Sequence, residues 1–275
     1  MRKNKKYQIV LETAIVLLGI IFIAPVILVF INSVKSYGDI YKTPFNLPSE
    51  WHFENYVKVF KGMNYMVKFR NSMITTLTPL PFILIFGSMA AYKMVRVKTR
   101  LSAVLFYLMI STMLIPISVI MVPLMTQMSS VGLTDSLIGM ILIYIGYQTP
   151  FTIFLYHGFI KNVPVSIEEA ARIDGCNSFQ IFFRVVFPML KPITSTIIVL
   201  LALNFWNDFF LPMLMIHSGK KRTLPLEAFR YIGESMKDWP MLLPAAILLS
   251  LPIFVFFFIF QRFILDGISQ GAVKG

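Results

Sequence analysis

The chain has 275 residues, of which 57% are hydrophobic and 14% charged, with 25 Lys and Arg against 13 Asp and Glu. So little charge cannot clothe a water-facing surface, which excludes an ordinary soluble globular protein. The basic residues lie between apolar runs and read as topological anchors rather than a nucleic-acid surface. A single cysteine, Cys176, excludes an intramolecular disulfide and a Cys-based zinc site, and His52, His157 and His217 are too scattered for a ligand cluster. No metal is expected.

Taken in chain order, the first apolar run, Ile9–Ile31, follows Arg2, Lys3, Lys5 and Lys6. It is long for the core of a signal peptide, and Ser33-Val34-Lys35-Ser36 makes a poor cleavage site, so it is read as an uncleaved span. Five further stretches are apolar and long enough to cross a hydrocarbon core of about 30 Å as helix: Ile74–Tyr92, Leu101–Met125, Leu137–Phe159, Ile193–Ile216 and Leu242–Phe263. Helices are required because lipid offers backbone groups no partner. The expected fold is an all-α polytopic membrane protein of six transmembrane helices, one transmembrane domain over residues 1–275. Pro25, Pro79, Pro81, Pro116, Pro150, Pro212 and Pro252 are expected to kink or interrupt some spans. Six spans put both termini on one side, and the basic N-terminus together with the four basic residues of Lys93–Arg100 assigns that side to the cytoplasm. The segments Ser33–Arg70 and His217–Met241 hold 11 basic residues on the outer side, in loops long enough for the charge bias to weaken.

Residues 161–192, between the fourth and fifth spans, are punctuated too regularly for a slack connector. Ser166-Ile167-Glu168-Glu169 spells a capping box that predicts a helix start, and Asp174-Gly175 predicts its left-handed end. Asn177-Ser178-Phe179-Gln180 predicts a second start, for a helix ending near Pro188. Two short helices joined at a glycine, with Ala170 and Ala171 permitting close approach, form a knob that either docks in a partner's groove or lies on lipid headgroups through Phe179, Ile181, Phe182 and Phe183.

Within the spans, Asp208 is the one clear acidic residue, and Asn204, Asn207, Asp208 and Leu211 fall at i, i+3, i+4 and i+7 on one helical face. That stripe either lines a solute path or clamps helices together. Tyr144, Gln148 and Thr152 form a second polar face, for solute contact or for packing. Gly267-Ile268-Ser269-Gln270-Gly271 spells a hydrolase nucleophile elbow, but a membrane span precedes it and no Asp, Glu or His follows it in the sequence, so it is read as coincidence. No enzyme is expected. The chain has no Gly-x4-Gly-Lys-Ser/Thr string to cradle ATP phosphates.

Glu169-Ala170-Ala171-x3-Gly175, followed after nine residues by Val185-Val186-Phe187-Pro188, resembles the EAA loop of binding-protein-dependent ABC importer permeases, with Val185 and Phe187 where that family has Ile and Leu. Four further segments resemble its maltose-transporter type of sugar permease: Pro164 to Cys176; Trp206-Asn207-Asp208-Phe209 with Pro212; the external Trp51-His52-Phe53-Glu54-Asn55-Tyr56; and the tail Gln261-Arg262-Phe263 with Gly271 to Gly275. The resemblance implies an alternating-access subunit for carbohydrate import, an oligosaccharide first, with a monosaccharide, a polyol or a glycerol phosphate ester as alternatives. An ion-coupled secondary transporter is the rival outside the family. It implies a second homologous permease subunit, two ATP-binding subunits that carry ATP and Mg, and an extracytoplasmic solute-binding protein, all at a prokaryotic cell membrane. No cofactor is expected on this chain itself. The implied coupling residues are Glu168, Glu169, Ala170, Ala171, Asp174, Gly175, Phe182 and Pro188, and Gly271, Val273 and Lys274 are the implied tail contacts with the ATPase. Tyr144, Gln148, Asn204, Asn207 and Asp208 remain the candidates for the solute path, and His217–Met241 is either a contact for the binding protein or a solvated loop.

Overall fold

The structure is a computed structural model that describes residues 5–234 and 238–272. Among these the elements are helical: α1 Lys5–Ser33, α2 Tyr37–Lys42, α3 Glu54–Gly62, α4 Tyr65–Leu77, α5 Pro79–Arg96, α6 Arg100–Met113, α7 Ile117–Ser130, α8 Leu137–Ile160, α9 Val165–Ile173, α10 Ser178–Met189, α11 Lys191–Asn207, α12 Phe210–Met215, α13 Leu224–Glu234 and α14 Trp239–Ala272. By length and composition four helices can cross a membrane: Ile9–Ser33, Tyr65–Arg96, Leu137–Ile160 and Trp239–Phe258. Two bent pairs raise that number to six if each pair counts as one span.

The bent pairs are where the expected spans change shape. The stretch expected over Leu101–Met125, with Pro116 among the prolines expected to kink or interrupt spans, is broken between Met113 and Ile117, and α6 and α7 meet at 101°. Pro116, in extended conformation just before α7, cannot supply an amide to continue α6. The stretch expected over Ile193–Ile216 is one helix only to Asn207, and a separate short helix, α12, follows the break. The start of α11 is turned by 73° from α10, and Asp208 is extended at its end. The second expected span begins earlier than the apolar run does, at Tyr65, because the mixed residues of α4 continue into α5.

The chain divides into two compact units, Met1–Tyr65 with Glu227–Pro252 and Met66–Leu226 with Ile253–Gly275. In the first, the end of α1 is tied to the loop after it. Asn32 Nδ2 donates to the Leu28 and Pro44 carbonyls, fully buried Lys35 donates to the Thr43 carbonyl at 2.7 Å, and the Ser33 and Tyr56 hydroxyls lie 2.7 Å apart. The apolar flank of α1 itself, from Ile9 to Ile23, stays exposed, as a surface meant for lipid would.

In the second unit α5 packs against α8 more extensively than any other pair of helices packs. A Cβ on Gly87 would come within 2.9 Å of Thr152 Cγ2, so these helices approach as closely as small residues allow. At the other end of α8, the loop carboxylate of Asp135 gathers the segment that follows α12. Its Oδ1 accepts the amides of His217 and Ser218 at 3.0 and 2.9 Å and the Ser218 hydroxyl at 3.0 Å, and Lys221 donates to Oδ2 at 3.1 Å. The Ser218 amide foremost holds this carboxyl far below the usual carboxylate range. A depressed value means that the tether contributes fully above the unfolded-chain value of about 3.9 and weakens only as pH falls below it.

Gly139 opens α8 where a Cβ would collide with the Leu133 carbonyl oxygen and sit 2.9 Å from the Met215 methyl, whereas a Cβ on Gly146 meets nothing within 4 Å. Gly139→Ala is therefore expected to lower the thermal stability and membrane level of the protein sharply, and Gly146→Ala to leave both unchanged. Thermal shift of the detergent-solubilised chain measures the difference, and equal tolerance at the two positions would contradict this packing.

Candidate functional site

Two places carry polar side chains that the sequence singled out. The first is the knob. Helix α9 begins at Val165 behind Pro164, whose backbone is extended and which makes no side-chain cap. The expected Ser166–Glu169 capping box therefore does not form: Ser166 is already inside the first turn, because Pro164 takes the N-cap position two residues earlier. The other two local expectations hold. Gly175 takes φ +83°, the left-handed conformation that ends the helix, and Asn177 with Gln180 forms a reciprocal capping box with both bonds at 2.9 Å. Helix α10 then widens into a π-type turn over Ile181–Val186, which aims Phe182 inward.

The eight expected coupling residues separate by exposure. Glu168, Ala171 and Phe182 are buried, while Glu169, Ala170, Asp174, Gly175 and Pro188 face outward. Glu168 is held by α5: its Oε2 accepts the Tyr92 hydroxyl at 2.6 Å, and its Oε1 accepts Arg96 Nε at 2.8 Å and pairs with Arg96 Nη2 at 2.7 Å. The guanidinium also donates to the Val163 carbonyl at 2.9 Å. Removing one member of a fully buried pair costs about 3–5 kcal/mol, and this one less, because the Arg96 side chain keeps 17% of its exposure. The opposite side of α9 ends in Ile173, 86% exposed, a large apolar residue left bare at the tip of a polar helix. Neither Arg96 nor Ile173 stood out in the sequence. Arg96 sits among four basic residues that read as anchors, and only the tertiary fold pairs it with a residue 72 positions away. For the expected tail contacts, Gly271 is in the last turn of α14, and Val273 and Lys274 lie outside the described residues.

The second place is a cavity of about 770 Å³ in the second unit. Tyr144, Gln148, Asn204, Asn207 and Asp208 all line it, together with Thr112, Tyr147, Phe151 and apolar neighbours. Helices α8 and α11 bring them together. Phe205 stacks on Tyr144 with ring centroids 4.4 Å apart, and Gln148 Nε2 donates to Asn204 Oδ1 at 3.0 Å. The single helical face expected through Leu211 is interrupted, since α11 stops at Asn207. Asp208 instead accepts the amides of Phe210 and Leu211 on Oδ1, at 2.9 and 3.3 Å, and the Tyr144 hydroxyl on Oδ2 at 2.9 Å. Its side chain, one residue before the N-cap Phe209, holds the first two amides of the short helix α12 and bonds α8 at once. Asn207 turns back on the Leu203 carbonyl at 2.9 Å, Thr152 packs against α5 rather than the cavity, and Leu211 is buried. Gln148 and Asn204 keep further donors and acceptors toward the cavity, which Tyr147 also lines.

Residues 83–269 match the family described as binding-protein-dependent transport system inner membrane component. The chain belongs to that family. This permease is 34% identical over 275 residues, the whole of both chains, to a probable starch degradation products transport system permease protein of Thermoanaerobacterium thermosulfurigenes. It is 35% identical to the melibiose/raffinose/stachyose import permease protein of Bacillus subtilis over 91% of each chain, and 30% identical to a diacetylchitobiose uptake system permease protein of Streptomyces coelicolor over 98% and 90%. Its fold is similar to that of a chain in the crystal structure of a bacterial ABC transporter involved in the import of the acidic polysaccharide alginate, with TM-score 0.79, 24% identity, and 95% and 98% of the two chains covered. As a member of this family the chain is a multi-pass membrane component of an importer, and the hydrolase-like Gly267–Gly271 string lies within α14, a helix rather than a strand-to-helix turn.

Asp208→Leu removes the carboxylate that holds the first two amides of α12, at about 1 kcal/mol, and strands the Tyr144 hydroxyl, at about 1–3 kcal/mol. Asp208→Asn can still accept the two amides and meet Tyr144. The expected outcome in thermal shift is a large loss for leucine and a small one for asparagine. Equal losses would assign Asp208 a role that depends on its charge.

Proposed function

We propose that this permease is the membrane subunit of an ATP-driven importer of an oligosaccharide, and that the cavity beside Tyr144 and Asp208 is its share of the solute path. The observation that carries the reading is the convergence of Tyr144, Gln148, Asn204, Asn207 and Asp208 on one cavity, whose volume suits a small sugar and whose lining mixes aromatic faces with amide donors and acceptors. The printed names of the relatives, import permeases for starch degradation products, for melibiose, raffinose and stachyose, and for diacetylchitobiose, support the solute class. Among the described residues no Lys or Arg lines the cavity, which counts against a glycerol phosphate ester, whose phosphate calls for cationic forks or point charges. A polyol fits the lining and is the second choice. An ion-coupled mechanism is disfavoured because the Asp208 carboxylate is already engaged by two amides and a hydroxyl.

In this reading a second homologous permease completes the pore, and an extracytoplasmic binding protein delivers the sugar. Two subunits holding ATP and Mg close beneath α9 and α10, with both termini of the permease on that cytoplasmic side. This chain binds no cofactor of its own. Ile173 and the exposed Glu169, Ala170, Asp174 and Gly175 form the surface offered to the ATPase, an arrangement that favours docking of the knob over adsorption to headgroups. The tail at Gly271, Val273 and Lys274 leans on the same subunits. Closure pulls on the knob, and the helices rock so that the cavity faces one side and then the other.

Copurification from gently solubilised native membranes is expected to recover a companion permease and ATPase subunits, with ATP hydrolysis raised by one sugar-loaded binding protein. Recovery of the chain without an ATPase would turn the account toward an ion-coupled carrier. A Cβ on Gly175 meets nothing within 4 Å, so substitution there acts through the backbone alone. Gly175→Val, at a strain of about 1–2 kcal/mol, is expected to lower uptake per ATP at least tenfold at normal membrane level. Gly175→Asn, which tolerates the left-handed region, keeps most of it, and wild-type coupling in the valine variant would exclude the role.

A further inference from the structure

We propose that Arg96 is a positioning residue for transport, the fixed link through which movement of α9 reaches α5 and, through α5, the helix that carries the cavity. The inference rests on the import reading above and extends it from the docking surface to the route by which force leaves that surface. Helix α9 is only nine residues long and is joined in sequence to α8 on one side and to α10 on the other. Covalent continuity alone would deliver its motion to those neighbours. The buried Glu168 carboxylate adds a third connection, to a helix far away in sequence, through the 2.6 Å Tyr92 bond and the 2.7 and 2.8 Å Arg96 contacts.

Three features make that connection stiff. Arg96 engages one carboxylate oxygen through both Nε and Nη2 while Nη2 also reaches the Val163 carbonyl, so the planar fork fixes the side chain of α9 and the backbone leading into it together. Tyr92 lies one turn before Arg96 on the same face of α5, takes the other carboxylate oxygen, and leans on Phe182 of α10 with ring centroids 5.3 Å apart. The last turn of α5 therefore grips both short helices of the knob. Beyond it, α5 meets α8 at the close Gly87–Thr152 approach, and α8 carries Tyr144 and Gln148 into the cavity. Within the knob the adjacent glutamates have divided roles: Glu169 faces outward, while Glu168 faces the protein's own interior and anchors it.

The test is a charge exchange in the complete transporter reconstituted in proteoliposomes. Arg96→Glu is expected to lower sugar uptake per ATP hydrolysed tenfold or more. Arg96→Lys, which keeps the charge and loses the fork, should fall between it and wild type. Arg96→Glu combined with Glu168→Arg should recover at least half of the wild-type ratio, a rescue that a general loss of folding would not give. Backbone hydrogen exchange of residues 165–173 in the same purified complexes provides a readout independent of transport, expected to quicken in Arg96→Glu and slow again in the exchanged pair. Wild-type uptake per ATP in Arg96→Glu, absence of rescue, or unaltered exchange would each overturn the proposal. Should the wild-type complex show no sugar-stimulated hydrolysis, the import reading fails, and the exchange rates alone decide whether the clamp exists.

Discussion

Inside hydrocarbon a peptide group has no water to bond, so each interruption of a helix must be repaired by another part of the protein. Three breaks among the described helices of this permease show how that repair is made. At the elbow before Pro116, Leu114 and Ile115 bond back to Ser111 and Thr112 in tight turns, so that the chain changes direction with its amides occupied. At Leu190, between α10 and α11, the amide is shared between the Val186 and Phe187 carbonyls, and Thr194 bonds the Leu190 carbonyl while meeting the Tyr156 hydroxyl. At Asp208 the carboxylate itself replaces the missing turn. A polar side chain in these spans is thus first a repair of the backbone, and only the groups left over can serve a solute.

That distinction sorts the polar residues of the cavity. Asp208 is occupied by two amides and a tyrosine, while Asn207 gives one amide hydrogen to the carbonyl one turn back. Gln148 and Asn204 bond each other through one group apiece and retain the rest, which is the arrangement that a sugar hydroxyl can enter by exchanging one hydrogen bond for another. The site is consequently neutral in its available chemistry even though a carboxylate lines it.

The apolar runs displayed much of the architecture in advance, most accurately where a helix is long and uninterrupted: the run Leu137–Phe159 became α8, Leu137–Ile160. Local chemistry was equally legible at Gly175 and Asn177, because a left-handed residue and a capping box depend on neighbours within a few positions. What escaped the sequence depends on distance or on competition. Ser166 had the right spacing for a cap, but Pro164 started the helix before it. The run through Ile216 looked continuous because Asp208 could be helical or capping, and only the position of Tyr144 decides. Arg96 is an unremarkable charge until the fold brings it to Glu168.

If Gln148 and Asn204 line a wet path, a thiol placed there must be reachable from water and must respond to the transport cycle. In a Cys176→Ser background, Asn204→Cys in the reconstituted complex should react with a membrane-impermeant maleimide, and the rate should fall when sugar-loaded binding protein and a non-hydrolysable ATP analogue are added together. A thiol at that position that never reacts, or reacts at one rate in every state, would contradict the account of the cavity as the route of the sugar.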